Sequence, residues 1–133
     1  MKLRKGRHVV YQMHAHLVFL SKYSGECFPD LVLKEMEKMM REICQKNDVI
    51  LTEFNGGLDY VHIRLEYKPT LMLTKLVNAL KGTTSKELKK TFPDLNSTVW
   101  RNNALWSPSY YCGSVEMFGI EDIVDCIQSL ERP

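Results

Sequence analysis

This 133-residue sequence lacks three things, and each absence excludes a class of protein. No uninterrupted apolar run approaches the roughly 20 residues that a membrane-spanning helix needs. The basic first residues are not followed by an apolar stretch with a small-residue cleavage site, so neither a secretory leader nor a membrane anchor is expected, and the expected location is the cytoplasm. None of the four cysteines, Cys27, Cys44, Cys112 and Cys126, pairs with another at Cys-x-x-Cys spacing. That argues against a zinc ribbon and for reduced thiols. The formal net charge is only +2, too little to imply nucleic acid by itself.

Hydrophobic residues make up 44% of the chain and charged residues 26%, as in an ordinary globular core with a solvated surface. No repeat, low-complexity tract or linker divides it, so a single domain over 1–133 is expected. A chain this short buries a modest share of its surface, and a homodimer would help it. The charge is uneven. Lys2, Arg4, Lys5 and Arg7 crowd the first seven residues with no acid among them, and Lys81, Lys86, Lys89 and Lys90 form a second basic stretch.

Residues 8–20 are rich in Val, Tyr, Phe and Leu and predict a long first strand. Residues 29–47 predict a helix, with Val32, Met36, Met39, Met40, Ile43 and Cys44 at three- and four-residue steps. Pro29 suits its first turn and Asn47-Asp48 its end. Strands at 49–54 and 58–67 flank the turn signal Asn55-Gly56-Gly57. A helix starting at 68 carries Leu71, Leu73, Leu76, Val77 and Leu80; Gly82 is expected to interrupt or bend it, 85–92 to continue it and Pro93 to end it. A polar loop at 96–108, a strand at 109–117 and an amphipathic helix at 119–130 complete the order βαββαβα. That order predicts an α+β ferredoxin-like sandwich, an antiparallel sheet with helices packed on it.

In the strand 58–67, positions 60 and 62 share one face. Two histidines there would hold one divalent ion; here they are Tyr60 and His62. His14 and His16 form a second His-x-His pair on the first strand, which should lie beside the third.

Several stretches together resemble the single-tyrosine HUH transposases of the smallest bacterial and archaeal insertion sequences, the TnpA type with its REP-associated relatives. They are His16-Leu17-Val18-Phe19 with Lys22-Tyr23, the strand from Asp59 to Glu66, Leu80-Lys81-Gly82-Thr83-Thr84-Ser85, and Leu105-Trp106-Ser107-Pro108-Ser109-Tyr110-Tyr111 leading into Gly113-Ser114-Val115. The resemblance spans nearly the whole chain. It implies a dimer that binds folded single-stranded DNA hairpins. It also implies a last-helix tyrosine that attacks a DNA phosphate, and a Mg or Mn ion held by two strand histidines and a glutamine one turn beyond the tyrosine. Such an ion would polarise the phosphate for a nucleophile whose free pKa near ~10 makes it weak at neutral pH.

The chain departs from that pattern where the chemistry would sit. By position, the first metal histidine falls on Tyr60 and the second on His62. The nucleophile falls on Cys126 and the glutamine on Leu130. A cysteine is shorter than a tyrosine by a ring, and leucine has no lone pair. A hard ion held by His62 and Tyr60 alone would bind weakly. The expectation is a transposase-like protein with its cutting centre degenerate and no resident cofactor, Mg or Mn entering only if activity survives. Its DNA-binding residues are expected to be Arg4, Lys5, Arg7, Lys22, Lys81, Lys86, Lys89 and Lys90.

Each of these residues also has a plainer reading. His62, and likewise His14 and His16, would be packed structural imidazoles; a replacement metal site from these three is the sharper alternative. Cys126, inside a helix and without a nearby base, would fill a helix interface. Asp59 and Glu66 would be solvated strand-end carboxylates, the N-terminal charges a solubilising tail, and the lysines of 81–90 a solvated face. Trp100, Trp106, Tyr110 and Tyr111 would stack on unpaired bases or serve as core and dimer contacts. Two functional alternatives remain. One is an active DNA-joining enzyme using Tyr60, Tyr110 or Tyr111. The other is a nucleic-acid or protein interaction module.

Overall fold

The computed structural model describes residues 3–114 and 119–131. A small hairpin comes first, β1 (Arg4–Lys5) paired with β2 (Val10–Tyr11). The main sheet holds β3 (Met13–Ser21), β4 (Ile50–Gly56), β5 (Tyr60–Tyr67) and β6 (Trp106–Gly113), all antiparallel in the order β4-β5-β3-β6. With α1 (Asp30–Lys46), α2 (Leu73–Thr91), the short α3 (Pro93–Thr98) and α4 (Ile120–Glu131), this is the expected ferredoxin-like α+β arrangement. The N-terminal hairpin is an addition to it.

Strand alternation decides which face each residue takes. In β5, Val61, Ile63 and Leu65 are fully buried on one face, while Tyr60, His62 and Arg64 occupy the other. The first face joins Leu17 and Phe19 of β3 to Val32, Met36 and Met40 of α1 and to Leu76, Val77 and Leu80 of α2. Burying each such side chain is worth about 1.5–3 kcal/mol relative to leaving it in water. The other face carries a smaller cluster, in which Val18 and Leu20 meet Ile123 and Ile127 of α4 with Tyr60 and Tyr111 packed against them.

Local chemistry sets the helix ends. In α1 the buried residues Val32, Met36, Met40 and Cys44 recur every fourth position, and Asp30 sits in the first turn. The helix stops where Asp48 takes a left-handed φ of 56° and the Asn47, Asp48 and Val49 amides return to Cys44 and Gln45 carbonyls.

Several element boundaries differ from expectation. The predicted first strand divides near Gln12, its first part pairing with β1 and the rest entering the main sheet. α2 starts at Leu73 rather than 68, because Leu71 N–H closes a separate turn onto Lys68 C=O and Met72 is extended. It then runs unbroken through Gly82, since packing of Leu76, Val77, Leu80, Thr84 and Leu88 outweighs the roughly 1 kcal/mol that a mid-helix glycine costs. Pro93 ends α2 but opens α3 inside the region read as loop. β6 begins at Trp106, three residues early, because Ser21 pairs with Trp106 across a register shift. The expected extension of this strand to 117 lies outside the described residues.

Candidate functional site

Beneath α4, adjacent strands present His14, His16, Val18 and Leu20 from β3 and Tyr60, His62, Arg64 and Glu66 from β5. The antiparallel register sets Val18 opposite His62, Leu20 opposite Tyr60 and His16 opposite Arg64. His16 and His62 are therefore diagonal neighbours, and His16 Nδ1 lies 3.0 Å from His62 Nε2. A hydrogen bond between two imidazoles needs one N–H and one bare nitrogen at the contact. His16 is nearly buried, at 7% exposure. His14 stands edge-on to it at 6.2 Å, with its Nδ1 buried and, among the described residues, without a partner.

Among the described residues, the positions to which the resemblance assigns the first ligand, the nucleophile and the glutamine line different surfaces. Tyr60 packs against the small α4 cluster, and its ring lies so close over Gly57 that a Cβ there would collide with it. Cys126 is on the opposite flank of α4, where it lines a cleft with Tyr111, Asp122 and Ile123 on the β6 side of the sheet. Leu130 is 73% exposed. Val124 and Gln128 of α4 face the start of β5, where they line a small polar cleft with Lys22, Tyr23 and Asp59. A Mg or Mn ion prefers several oxygen donors. His62 is engaged by His16, Tyr60 is wedged on hydrocarbon, and Leu130 offers no donor, so these residues do not fit such an ion. The described residues include no group of three His, Cys, Asp or Glu side chains placed to hold a metal, which leaves the replacement site of His14, His16 and His62 incomplete.

Cys126 is exposed rather than filling an interface, a correction to the plainer expectation. The apolar stripe Ile120, Ile123, Val124 and Ile127 turns inward and leaves 126 on its edge. Cys44 is buried, and desolvation pushes its thiol up to about 11 against the opposing pull of Arg41. Burial also raises Cys112.

The expected DNA-binding residues fall into distinct groups. Arg4 stacks its guanidinium 5.3 Å over the Tyr11 ring, and Lys5 and Arg7 are exposed beside it, so the basic start forms a hairpin rather than a tail. Lys22 is exposed at the end of β3. Lys86 and Lys90 are exposed and Lys89 half-buried on α2. Lys81 is tied down: its Nζ donates to Ser107 C=O at 2.6 Å and lies 5.7 and 5.6 Å from the Phe19 and Tyr110 ring centres. It ties α2 to β6.

Thr84 is likewise unavailable to phosphate. Its hydroxyl donates to Leu80 C=O and accepts from the Trp106 indole at 2.9 Å. Trp100 is fully buried with its indole on Cys27 C=O, so neither tryptophan is a stacking platform. Tyr110 packs edge-on against Phe19, and Tyr111 lies on the α4 side with its hydroxyl over Gly113. Asp59 accepts from Gly25 N–H, and Glu66 lies 3.6 Å from Arg64, so both expected solvated carboxylates have structural partners.

Sequence reasoning missed the His16–His62 contact, Gln128 and Lys68. The first was detectable in principle, since two same-face strand positions on neighbouring strands meet once the register is known. Gln128 carried a signal too, since the resemblance implies a glutamine on the last helix and 128 holds one, whereas no sequence signal marked Lys68.

Comparison with known proteins now adds to this geometry. The chain is 30% identical over 110 residues to the ISDra2 transposase TnpA of Deinococcus radiodurans, covering 83% of this chain and 78% of the relative. It is 28% identical over 108 residues to the transposase for insertion sequence element IS200 of Salmonella typhimurium, covering 81% and 70%. A crystal structure described as a Deinococcus radiodurans transposase superposes with a TM-score of 0.80 at 30% identity, covering 96% of this chain and 95% of that one. A REP-associated tyrosine transposase solved with a REP hairpin shares the fold at a TM-score of 0.52 and 5% identity, covering 93% and 68%. The model of the family described as "Transposase IS200 like" matches residues 9–129, all but the ends of the chain, and the protein therefore belongs to the IS200-like transposase family.

Proposed function

We propose that this family member binds single-stranded DNA hairpins as a cytoplasmic homodimer and that its HUH strand-cleaving centre is degenerate. The observation carrying the proposal is the contrast between two helices. α4, where the family pattern puts the nucleophile, bears exposed Cys126 and Leu130, four acids and no lysine or arginine, a net of −4. α2 carries five lysines against one glutamate, a net of +4, more than the whole chain. A phosphate backbone is drawn to the second and repelled by the first.

The chain's own groups support binding without cleavage. Lys75, Lys86 and Lys89 lie along the outward face of α2, spaced over roughly 20 Å at 1.5 Å per residue. Each phosphate neutralised there releases counterions, which makes the affinity fall with salt. On the other face, a thiol at 126 beside Asp122 lies among charges that oppose the approach of a phosphodiester. The fold itself accommodates a hairpin in the REP-associated protein. An absent Mg or Mn ion would supply phosphate polarisation, and the residues at 60, 62 and 130 do not make a seat for it.

Two measurements test the proposal. Folded DNA hairpins titrated at low salt should give a retarded complex, and single-stranded DNA with Mn²⁺ should give no covalent adduct. Absence of a complex at high protein concentration overturns the binding half. An adduct lost on changing Tyr60, Tyr110 or Tyr111 to Phe overturns the degenerate half and establishes a substitute nucleophile. Tighter binding of hairpin RNA than of DNA would reassign the partner, and a monomer in light scattering would remove the dimer.

A further inference from the structure

The N-terminal hairpin forms a cleft that the family pattern does not account for. Gly6 N–H donates to Val9 C=O at 2.7 Å, closing a tight turn. The turn brings Lys5 and Arg7 to face Lys68, Pro69 and Thr70 of the β5–α2 connection across a cleft of about 280 Å³. Three of the lining side chains are cationic and none is a carboxylate. Lys5 and Arg7 precede residue 9, where the match to the family begins.

Three further observations indicate what the cleft would hold. Arg4 beside it has a buried Nη1 that, among the described residues, lacks an acceptor, and such groups commonly await a water or anion. Among the described residues, Lys68 is held only by an exposed ion pair 3.7 Å from Asp48, a contact worth little and readily exchanged for a phosphate. The cleft also does not end at Lys68: a second cleft shares Lys68 and Thr70 and runs on to Lys75 in the first turn of α2. Cations thus continue from Arg7 through Lys68 and Lys75 onto the positive helix, and Asp48, the ion-pair partner of Lys68, is the carboxylate that lines the second cleft between them. A free anion needs one charged spot, whereas a polyanion can use a track. Exposed Val9 and Pro69 give the cleft apolar walls against which a sugar or base can lie, and Thr70 supplies a hydroxyl donor.

We infer that this cleft seats an unpaired nucleotide of a strand leaving the hairpin stem, with Lys5, Arg7 and Lys68 on its phosphates. The inference rests on the hairpin-binding reading above and adds a second point of contact to it. The stem would lie on α2 and the single-stranded flank would pass over Lys75 and Lys68 into the cleft.

The test compares two labelled DNA hairpins by fluorescence anisotropy, one blunt and one with a short unpaired extension. The extension should tighten binding by about tenfold, and Arg7→Ala with Lys68→Ala should remove that gain while weakening the blunt hairpin far less. The salt dependence for the extended DNA should fall by about 2 in slope. Arg7→Lys with Lys68→Arg should keep most of the gain. Equal weakening of both DNAs, or of neither, overturns the cleft as a nucleotide seat. So does loss of the gain to an acidic peptide at concentrations that leave blunt-hairpin binding intact. If the blunt hairpin does not bind, the functional reading fails separately. In that case, Arg7- and Lys68-dependent binding of a bare single strand would still uphold the cleft, and its absence would end both.

Discussion

α2 and α4 lie on opposite faces of one sheet and differ in both burial and charge. α2 belongs to a cluster of twenty buried residues among those described, and α4 to a cluster of four. α2 is further tied to β6 by the Lys81–Ser107 and Thr84–Trp106 contacts. Their charges, +4 and −4, oppose each other. In this chain the positive charge sits on the better-anchored helix, and α4, packed on fewer buried residues among those described, is negatively charged.

The largest expected effect tests the anchoring. Leu80→Ala should cost about 3–5 kcal/mol in chemical denaturation, because it hollows a fully buried site, whereas Ile127→Ala should cost about 2–3 kcal/mol and expose α4 amides to hydrogen exchange before the rest. Equal costs with a single cooperative exchange pattern would erase the difference between the helices.

The next test concerns charge. Changing Lys86, Lys89 and Lys90 to Glu should weaken hairpin binding by at least about 100-fold and lower the salt slope by about 3, while Asp122→Asn with Asp125→Asn should leave affinity equal or slightly higher. A loss of affinity in the α4 variants would move the DNA to the other face.

Thr84→Val keeps the shape but leaves the buried Trp106 N–H without its acceptor, so about 1–3 kcal/mol of stability should be lost. A neutral result would mean that the indole finds another partner and that the tie between α2 and β6 is weak.

The smallest expected effect is at Gly82, where an added Cβ meets nothing within 4 Å. Gly82→Ala should stabilise the protein by about 0.5–1 kcal/mol by thermal denaturation. If hairpin affinity falls at the same time, the nucleic acid approaches the α2 backbone at that point, which would explain a glycine that the chain's own packing does not require.

Much of the fold was legible because it follows from period. The four-residue recurrence of Val32, Met36, Met40 and Cys44 and the alternation of Val61, Ile63 and Leu65 each fix a buried face locally. Gly82 was misread for the complementary reason: local helix propensity argued for a break, and long-range packing overrode it. The site was legible only in part. The placement of Tyr60 and His62 on one face followed from alternation, whereas the surfaces that Tyr60, Cys126 and Leu130 line were decided by how α4 docks. Lys81 looked like a surface cation because nothing in its neighbourhood announced the Ser107 carbonyl 26 positions away.

The sequence alone determined the element types, the face each side chain takes, the segregation of basic and acidic stretches, and the identities of Tyr60, Cys126 and Leu130, since these depend on residue identity and short-range periodicity. Tertiary structure alone decided that His16 meets His62, that Cys126 turns toward β6 while Gln128 turns toward β5, and that Arg7 and Lys68 face one cleft. Strand register and helix docking are set by how distant apolar surfaces fit together, and no local stretch of chain encodes them.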